Sequence, residues 1–160
     1  MFEHFDERSI KVMACGNVEA DRQKNPYFGT EHLLLGLAME KTGIGAKALN
    51  EVGANLERIK QKVSELNYDP SIVANEENIE KISQKEVLGS FSSNIRFAPR
   101  CKKVLQRSLM IAEELNDKYV HTEALLLALL DEDEGPSNEI LTKMQLDKNA
   151  LRQIVARLKT

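Results

Sequence analysis

The chain of 160 residues contains only two cysteines, no tryptophan and no long run of apolar residues. Its longest apolar runs, residues 33–39 and 125–130, are far too short to span a bilayer. The first residues lack the basic start and apolar stretch of a secretory signal. We therefore expect a soluble protein, without a membrane partner, in the cytoplasm or in an organelle stroma of plastid type.

Basic residues are not in excess either. Lysine and arginine number 22 against 25 aspartate and glutamate, which leaves a net charge of −3. Proteins that bind nucleic acid by neutralising phosphates need a basic surface, so we expect no nucleic-acid partner. The three histidines show no metal-ligand spacing with cysteine or carboxylate residues. We predict no metal and no other cofactor.

The chain does contain an internal repeat. Shifting the sequence by 92 residues places residues 5–66 over residues 97–158 without a gap. Its strongest block pairs Thr30-Glu31-His32-Leu33-Leu34-Leu35-Gly36-Leu37 with Thr122-Glu123-Ala124-Leu125-Leu126-Leu127-Ala128-Leu129. Two copies are too few for an open solenoid, so we expect them to pack as a pseudo-twofold pair. Cys15 and Cys101 take different positions in the copies, which argues against a repeated metal site and against a disulfide framework.

Helical spacing of apolar residues recurs in nearly every segment, and strand-like alternation is missing. Each copy is predicted to hold four helices, with Asp6, Asn55 and Asp147 among the capping residues. Thr30 and Thr122 are predicted to cap the second helix of their copies, which is apolar nearly all round and therefore buried. The sequence predicts an all-α fold of eight helices with pseudo-twofold symmetry.

Residues 67–96 separate the first copy (1–66) from the second (97–160) within one compact domain. This segment is rich in Asn, Ser, Glu and Lys and has only a weak apolar pattern at Ile79, Ile82 and Val87. A connection this long inside a compact domain is typically functional or mobile. We predict a mobile linker with one or two helical turns at most.

Three segments of this repeated helical pattern carry a family resemblance. They are Met1-Phe2-Glu3-His4-Phe5-Asp6-Glu7-Arg8-Ser9-Ile10-Lys11-Val12, Gly29-Thr30-Glu31-His32-Leu33-Leu34-Leu35-Gly36-Leu37 and Phe97-Ala98-Pro99-Arg100-Cys101-Lys102-Lys103-Val104-Leu105. They resemble the N-terminal domain of the Clp AAA+ unfoldases, most of all its ClpC branch. The resemblance implies two four-helix Clp repeats that receive protein substrates or adaptor proteins. These are passed to the AAA+ ring of the parent unfoldase and, indirectly, to the ClpP protease.

The resemblance also implies a domain without catalysis. Gly43-Ile44-Gly45-Ala46-Lys47 lacks the Gly-Lys-Ser/Thr ending of a phosphate loop and follows no strand, so it does not hold a nucleotide. Neither cysteine has local support as a nucleophile. We expect a monomeric binding domain that is not an enzyme. The alternative is a stand-alone accessory protein that binds and stabilises a Clp protease core; the ClpC-like motifs favour the first interpretation.

Glu31 and Glu123 are the first candidate site residues. Each stands in the first turn of a buried helix, where the helix dipole favours a carboxylate, so a purely structural role also accounts for them. The resemblance implies that both take part in pockets for phosphorylated arginine on substrates. There the carboxylates would pair with the guanidinium group.

The phosphate of such a ligand needs N–H donors or cations. Helix N-termini at Thr30 and Thr122, with Arg100 and Lys102, are the candidates for that role. The second copy departs from the pattern because His121 stands where the first copy has Gly29. The second pocket is therefore the weaker match.

A second candidate site comprises Phe2, Phe97, Lys102 and Gln106. The resemblance implies that they line a surface groove for peptides and adaptors. Phe97 and its repeat partner Phe5 also fit a role as core anchors. Phe2 precedes the first helix and has no predicted place in the core, so it is expected to contribute to an apolar surface patch.

Overall fold

The structure is a computed structural model that describes residues 2–66 and 95–160, together with the backbone of residues 80–82. These residues form eight α-helices, a 3₁₀ turn at Phe2–His4 and two three-residue strands. The helices are α1 (Glu7–Arg22), α2 (Thr30–Glu40), α3 (Ile44–Glu51), α4 (Leu56–Ser64), α5 (Pro99–Glu114), α6 (Thr122–Leu130), α7 (Pro136–Lys143) and α8 (Lys148–Lys159). The predicted all-α fold with four helices in each copy is confirmed. No helix in these ranges is both long and apolar enough to cross a membrane.

Three of the predicted caps begin helices α1, α4 and α8. The Oδ1 atoms of Asp6, Asn55 and Asp147 each accept a hydrogen bond from backbone N–H groups two or three residues further along, at 2.7–3.2 Å. These bonds satisfy donors that a helix leaves free in its first turn. The local sequence therefore sets where these helices start.

Helices α2 and α6 form the buried centre of the molecule, as predicted. Leu33, Leu34, Leu35 and Leu37 of α2 are almost completely buried. Helix α2 contacts α1, α3 and α4 of its own copy as well as α5, α6 and α7 of the other. Because neighbours surround the helix, apolar residues are needed on nearly all of its faces.

The two copies interlock with pseudo-twofold symmetry. Helix α3 packs on α6 and α8 of the second copy, and its counterpart α7 packs on α2 and α4 of the first. The segments before the helices repeat the exchange: Phe5 pairs with Val120, and the aligned residues Phe97 and Phe28 pair in the same parallel fashion. One core therefore serves both copies.

A short antiparallel ladder joins the second copy to the predicted linker. Strand β1 (Glu80–Ile82) pairs with β2 (Ile95–Phe97), with Ile82 opposite Ile95. The sequence analysis did not predict this strand, since strands of three residues are too short to show alternation in the sequence. The rest of the predicted linker, residues 67–79 and 83–94, lies outside the described residues, and so does the predicted mobility.

Candidate ligand-binding clefts

Thr30 and Thr122 are buried at the first positions of α2 and α6. Their prediction as N-caps of these helices is wrong, because the capping positions are Gly29 and His121. Each threonine instead reaches across to the other copy. Thr122 Oγ1 accepts from the N–H of Gly45 at 3.1 Å.

The symmetric bond runs from the N–H of Ser137 to Thr30 Oγ1 at 3.2 Å. Gly45 and Ser137 are aligned positions in the first turns of α3 and α7. The two hydroxyls therefore cap the third helix of the opposite copy. Their acceptor capacity is used at least in part by the fold itself, which leaves a second lone pair on each oxygen.

Glu31 is only 2% exposed in the first turn of α2. Its Oε1 lies 3.4 Å from Nδ1 of His32, which accepts the N–H of Gly29 at 2.9 Å. Burial lowers the pKa of His32 to about 4, so the imidazole is neutral at pH 7 and this contact is not an ion pair. His32 Nε2 completes the arrangement by bonding Oε1 of Gln23 at 2.9 Å.

Gly29 leaves room for the Glu31 carboxylate because it has no side chain. A Cβ atom at position 29 would collide with Glu31 Oε1. The second copy has His121 at the aligned position, so the Glu123 carboxylate cannot take the equivalent arrangement there. This difference is one reason why the two repeated glutamates have different surroundings.

The first candidate cleft is defined by the repeat alignment, as the surroundings of Glu31 and of Arg100 near the start of α5. The Arg100 guanidinium lies 3.2 Å from Glu134 Oε1 and 3.7 Å from Glu132 Oε1. Burial, together with the nearby charges of Glu31 and Glu132, raises the pKa of the Cys101 thiol. Three carboxylates and one arginine thus share this region, and the arginine is paired with acidic residues from the loop after α6.

The second cleft is an open depression of about 240 Å³ at the junction of the copies. It contains Glu123, which is 3% exposed, and Arg8, the repeat partner of Arg100. His121 Nδ1 lies 2.7 Å from Asp6 Oδ2 on the same surface. The remaining lining residues are Gly43, Ile44, Thr122 and Lys159.

Glu123 has a strong partner inside this cleft. Lys159 Nζ lies 2.7 Å from Glu123 Oε1 and 2.8 Å from Asp117 Oδ2. The sequence analysis missed Lys159 as a site residue because it lies 36 residues from Glu123 in a different helix. Asp117 gave no signal of its own, since an aspartate after a helix is common in turns.

The prediction that Phe2 contributes to an apolar surface patch is wrong, because Phe2 is only 7% exposed. Its ring lies 5.1 Å from that of Phe5 and 5.8 Å from that of Phe97, and Phe28 joins the cluster 5.1 Å from Phe97. The 3₁₀ turn at Phe2–His4 contains Phe2, and its ring is part of this aromatic cluster in the core. Phe97 is fully buried as well.

On α5, Lys102 is half-buried and Gln106 is exposed. One turn further along α5, a depression of about 450 Å³, separate from the second cleft, is lined by Leu109, Met110, Val120 and His4, among others. Met110, an apolar side chain of α5, is 55% exposed. The apolar surface on this face is therefore supplied by α5 rather than by Phe2. Among the described residues, no group of three or more His, Cys, Asp or Glu is placed to hold a metal ion.

Fold and clefts together define a two-repeat, all-helical domain with a buried glutamate at the start of each central helix. The model of the Clp repeat (R) N-terminal domain matches residues 4–144, and the chain belongs to this family. The resemblance drawn from the sequence is confirmed. In keeping with this family, the chain resembles a non-catalytic domain.

Curated relatives are of the ClpA and ClpC type. The "ATP-dependent Clp protease ATP-binding subunit ClpA homolog" of Guillardia theta is 39% identical over 158 residues, which cover 99% of this chain and 17% of the relative. "Negative regulator of genetic competence ClpC/MecB" of Bacillus subtilis (strain 168) is 37% identical with the same two coverages. "Chaperone protein ClpC1, chloroplastic" of Oryza sativa subsp. japonica is 38% identical and covered to 15%. The chain thus spans less than a fifth of these relatives.

Two solved structures share the fold. The N-terminal domain of the chaperone ClpD from Arabidopsis thaliana superposes with a TM-score of 0.73 at 22% identity, covering 100% of this chain and 97% of that one. The Hsp104 N-terminal domain from Candida albicans has a TM-score of 0.67 at 16% identity, covering 97% and 91%. At these identities the likeness concerns the fold alone.

Proposed function

We propose that this domain binds protein substrates and adaptor proteins for an ATP-dependent Clp unfoldase and delivers them for unfolding and degradation. Its partners would be the AAA+ ring of a parent chain and, through that ring, the ClpP protease. Membership of the Clp N-terminal domain family supports the proposal. The alternative, a stand-alone accessory protein of a Clp protease core, stays a prediction; the mass of the native polypeptide in cell extracts separates the two.

The ligand class proposed for the clefts is phosphorylated arginine on a substrate. The observation that carries this proposal is the second cleft, where the Glu123 carboxylate and the Arg8 guanidinium line one depression. A phosphorylated arginine carries a guanidinium group that pairs with a carboxylate and a phosphate that pairs with an arginine. Glu31 and Arg100 are the aligned pair for the first cleft.

Calorimetric titration with free phosphoarginine tests this proposal. We expect two binding sites, of which Glu31→Gln removes one and Glu123→Gln the other, while the double variant shows no binding. Loss of a charged hydrogen bond in each cleft should weaken binding there by about tenfold or more. Glu139→Gln is the matched control, because Glu139 pairs with Lys143 on the surface of α7, 3.0 Å away.

Flat titrations for the unmodified chain and for all three glutamate variants would refute phosphoarginine as the ligand. Equal binding by all of them would refute the role of Glu31 and Glu123. Free arginine and inorganic phosphate serve as competitors that each offer half of the ligand. Both should bind more weakly than phosphoarginine, because each satisfies only one of the two charged groups.

Adaptor and peptide binding is proposed for the exposed face of α5. Lys102, Gln106 and Met110 follow one another at helical spacing along this face. The buried rings of Phe2 and Phe97 would support the face from below rather than contact the partner. The exposure of Met110 favours a partner with apolar side chains.

A further inference from the structure

The ammonium group of Lys159 lies in the second cleft, next to Glu123. Lys159 is 27% exposed, and its ammonium lies between the carboxylates of Glu123 and Asp117, at 2.7 and 2.8 Å. Burial opposes the charge, but hydrogen bonds to Asp117 and Glu123 outweigh it and raise the pKa of Lys159. The ammonium is therefore charged at neutral pH and paired twice.

The residue types that form the Lys159 ion pairs occur together only in the second copy. The positions aligned with Asp117 and Lys159 are Asn25 and Asn67. Neither a carboxylate nor an ammonium group stands at these positions in the first copy. The Lys159 pair is thus not part of what the repeats share.

We infer that Lys159 is an internal competitor for the second cleft: its ammonium occupies the place on Glu123 that a ligand's guanidinium takes, and a ligand binds there by displacing it. The inference rests on the proposed function, in which Glu123 receives a guanidinium group. Asp117 makes displacement feasible, because the ammonium keeps one carboxylate partner after it leaves Glu123. Lys159 would then tune the affinity of this cleft instead of holding the phosphate.

The two roles of Lys159 predict opposite effects of removing its charge. A competitor that is partly exposed should reduce ligand affinity modestly, so Lys159→Met should bind a guanidinium ligand about fivefold more tightly. A lysine that holds the phosphate would instead weaken binding of phosphoarginine when replaced. Lys159→Arg keeps a cation at the position and should bind like the unmodified chain.

The experiment uses the Glu31→Gln chain, so that only the second cleft is read out. Backbone amide NMR shifts near Glu123 are followed during titration with methylguanidine, which has no phosphate, and separately with phosphoarginine. Lys143→Met is the matched control, since it removes an ion pair of similar length on α7. Circular dichroism establishes that each variant is folded, and Lys159→Gln replaces the methionine variant if that one is not.

Tighter binding of methylguanidine by Lys159→Met than by Lys159→Arg supports the inference. Equal or weaker binding overturns it, and so does the absence of binding in every variant. The proposed function is judged separately by the other probe. If phosphoarginine binds none of the chains while methylguanidine still prefers Lys159→Met, the phosphoarginine proposal fails and the competitor role of Lys159 stands.

Discussion

Replacing Thr30 and Thr122 with valine should destabilise the fold by removing two of the hydrogen bonds that join the copies. Valine has nearly the shape of threonine, so the change removes a hydroxyl with little effect on packing. Thr122 Oγ1 accepts from Gly45 N at 3.1 Å, and Thr30 Oγ1 accepts from Ser137 N at 3.2 Å. Both N–H groups are in buried residues, so each substitution leaves a buried donor without this acceptor.

Loss of a helix cap or of a buried hydrogen bond costs about 1–2 kcal/mol. We therefore expect each single variant to lose about 1–2 kcal/mol of unfolding free energy and the double variant about 2–4 kcal/mol. For a domain of this size, 1 kcal/mol corresponds to a fall of about 2–4 °C in Tm. The double variant would lose a substantial part of a total stability that is about 5–15 kcal/mol in proteins generally.

Urea unfolding followed by circular dichroism measures these changes, with an unchanged m value showing that the same surface is exposed. Thr142→Val, at an exposed position of α7, is the matched control. Thr→Ser variants at positions 30 and 122 keep the hydroxyl and separate its effect from that of the methyl group. Losses below about 0.5 kcal/mol at Thr30 and Thr122, the size expected for ordinary surface substitutions, would refute the capping role.

Two further changes test the core. Phe2→Ala should lower the unfolding free energy, measured with urea, by about 3 kcal/mol because it empties part of the aromatic cluster. Tyr119→Ala is the control, at a side chain that is 40% exposed, and should cost about 1 kcal/mol or less. Equal losses would contradict the burial of Phe2. Burial lowers the pKa of His32 from its ordinary 6.5 to about 4, so the unfolded chain binds the proton first as the pH falls. Stability should therefore decrease as the pH drops from 6.5 towards 4, by about 3 kcal/mol in total from this group. His32→Gln should flatten the pH profile in that window; a profile parallel to that of the unmodified chain would contradict the shift.

Much of the fold was predictable because its signals are local. The apolar pattern of Leu33–Leu37 identifies a helix surrounded by neighbours, and Asp6, Asn55 and Asp147 mark where helices begin. Caps and helical periodicity depend on residues three or four positions apart, which the chain displays directly. The repeat added the expectation of a symmetric pair.

The candidate clefts were predictable only in part. Glu31 and Glu123 were identified as first-turn carboxylates by position, yet their surroundings differ because of Gly29 and His121. The strand at residues 80–82 and the burial of Phe2 were missed, since both depend on pairing with distant segments. The residues next to Phe2 in the sequence do not indicate whether its ring will be buried in the folded chain.

The sequence by itself determined a helical, twice-repeated domain, because periodicity, caps and repeated residue types are properties of short stretches. Its resemblance to the Clp N-terminal family came separately, from the motifs that begin at Met1, Gly29 and Phe97. Tertiary structure alone decided which groups meet. It sends the hydroxyls of Thr122 and Thr30 to N–H groups 77 and 107 residues away, and it brings Lys159 against Glu123. Hydrogen bonds and ion pairs act over a few ångströms whatever the separation along the chain, so only the packed copies bring these partners into range.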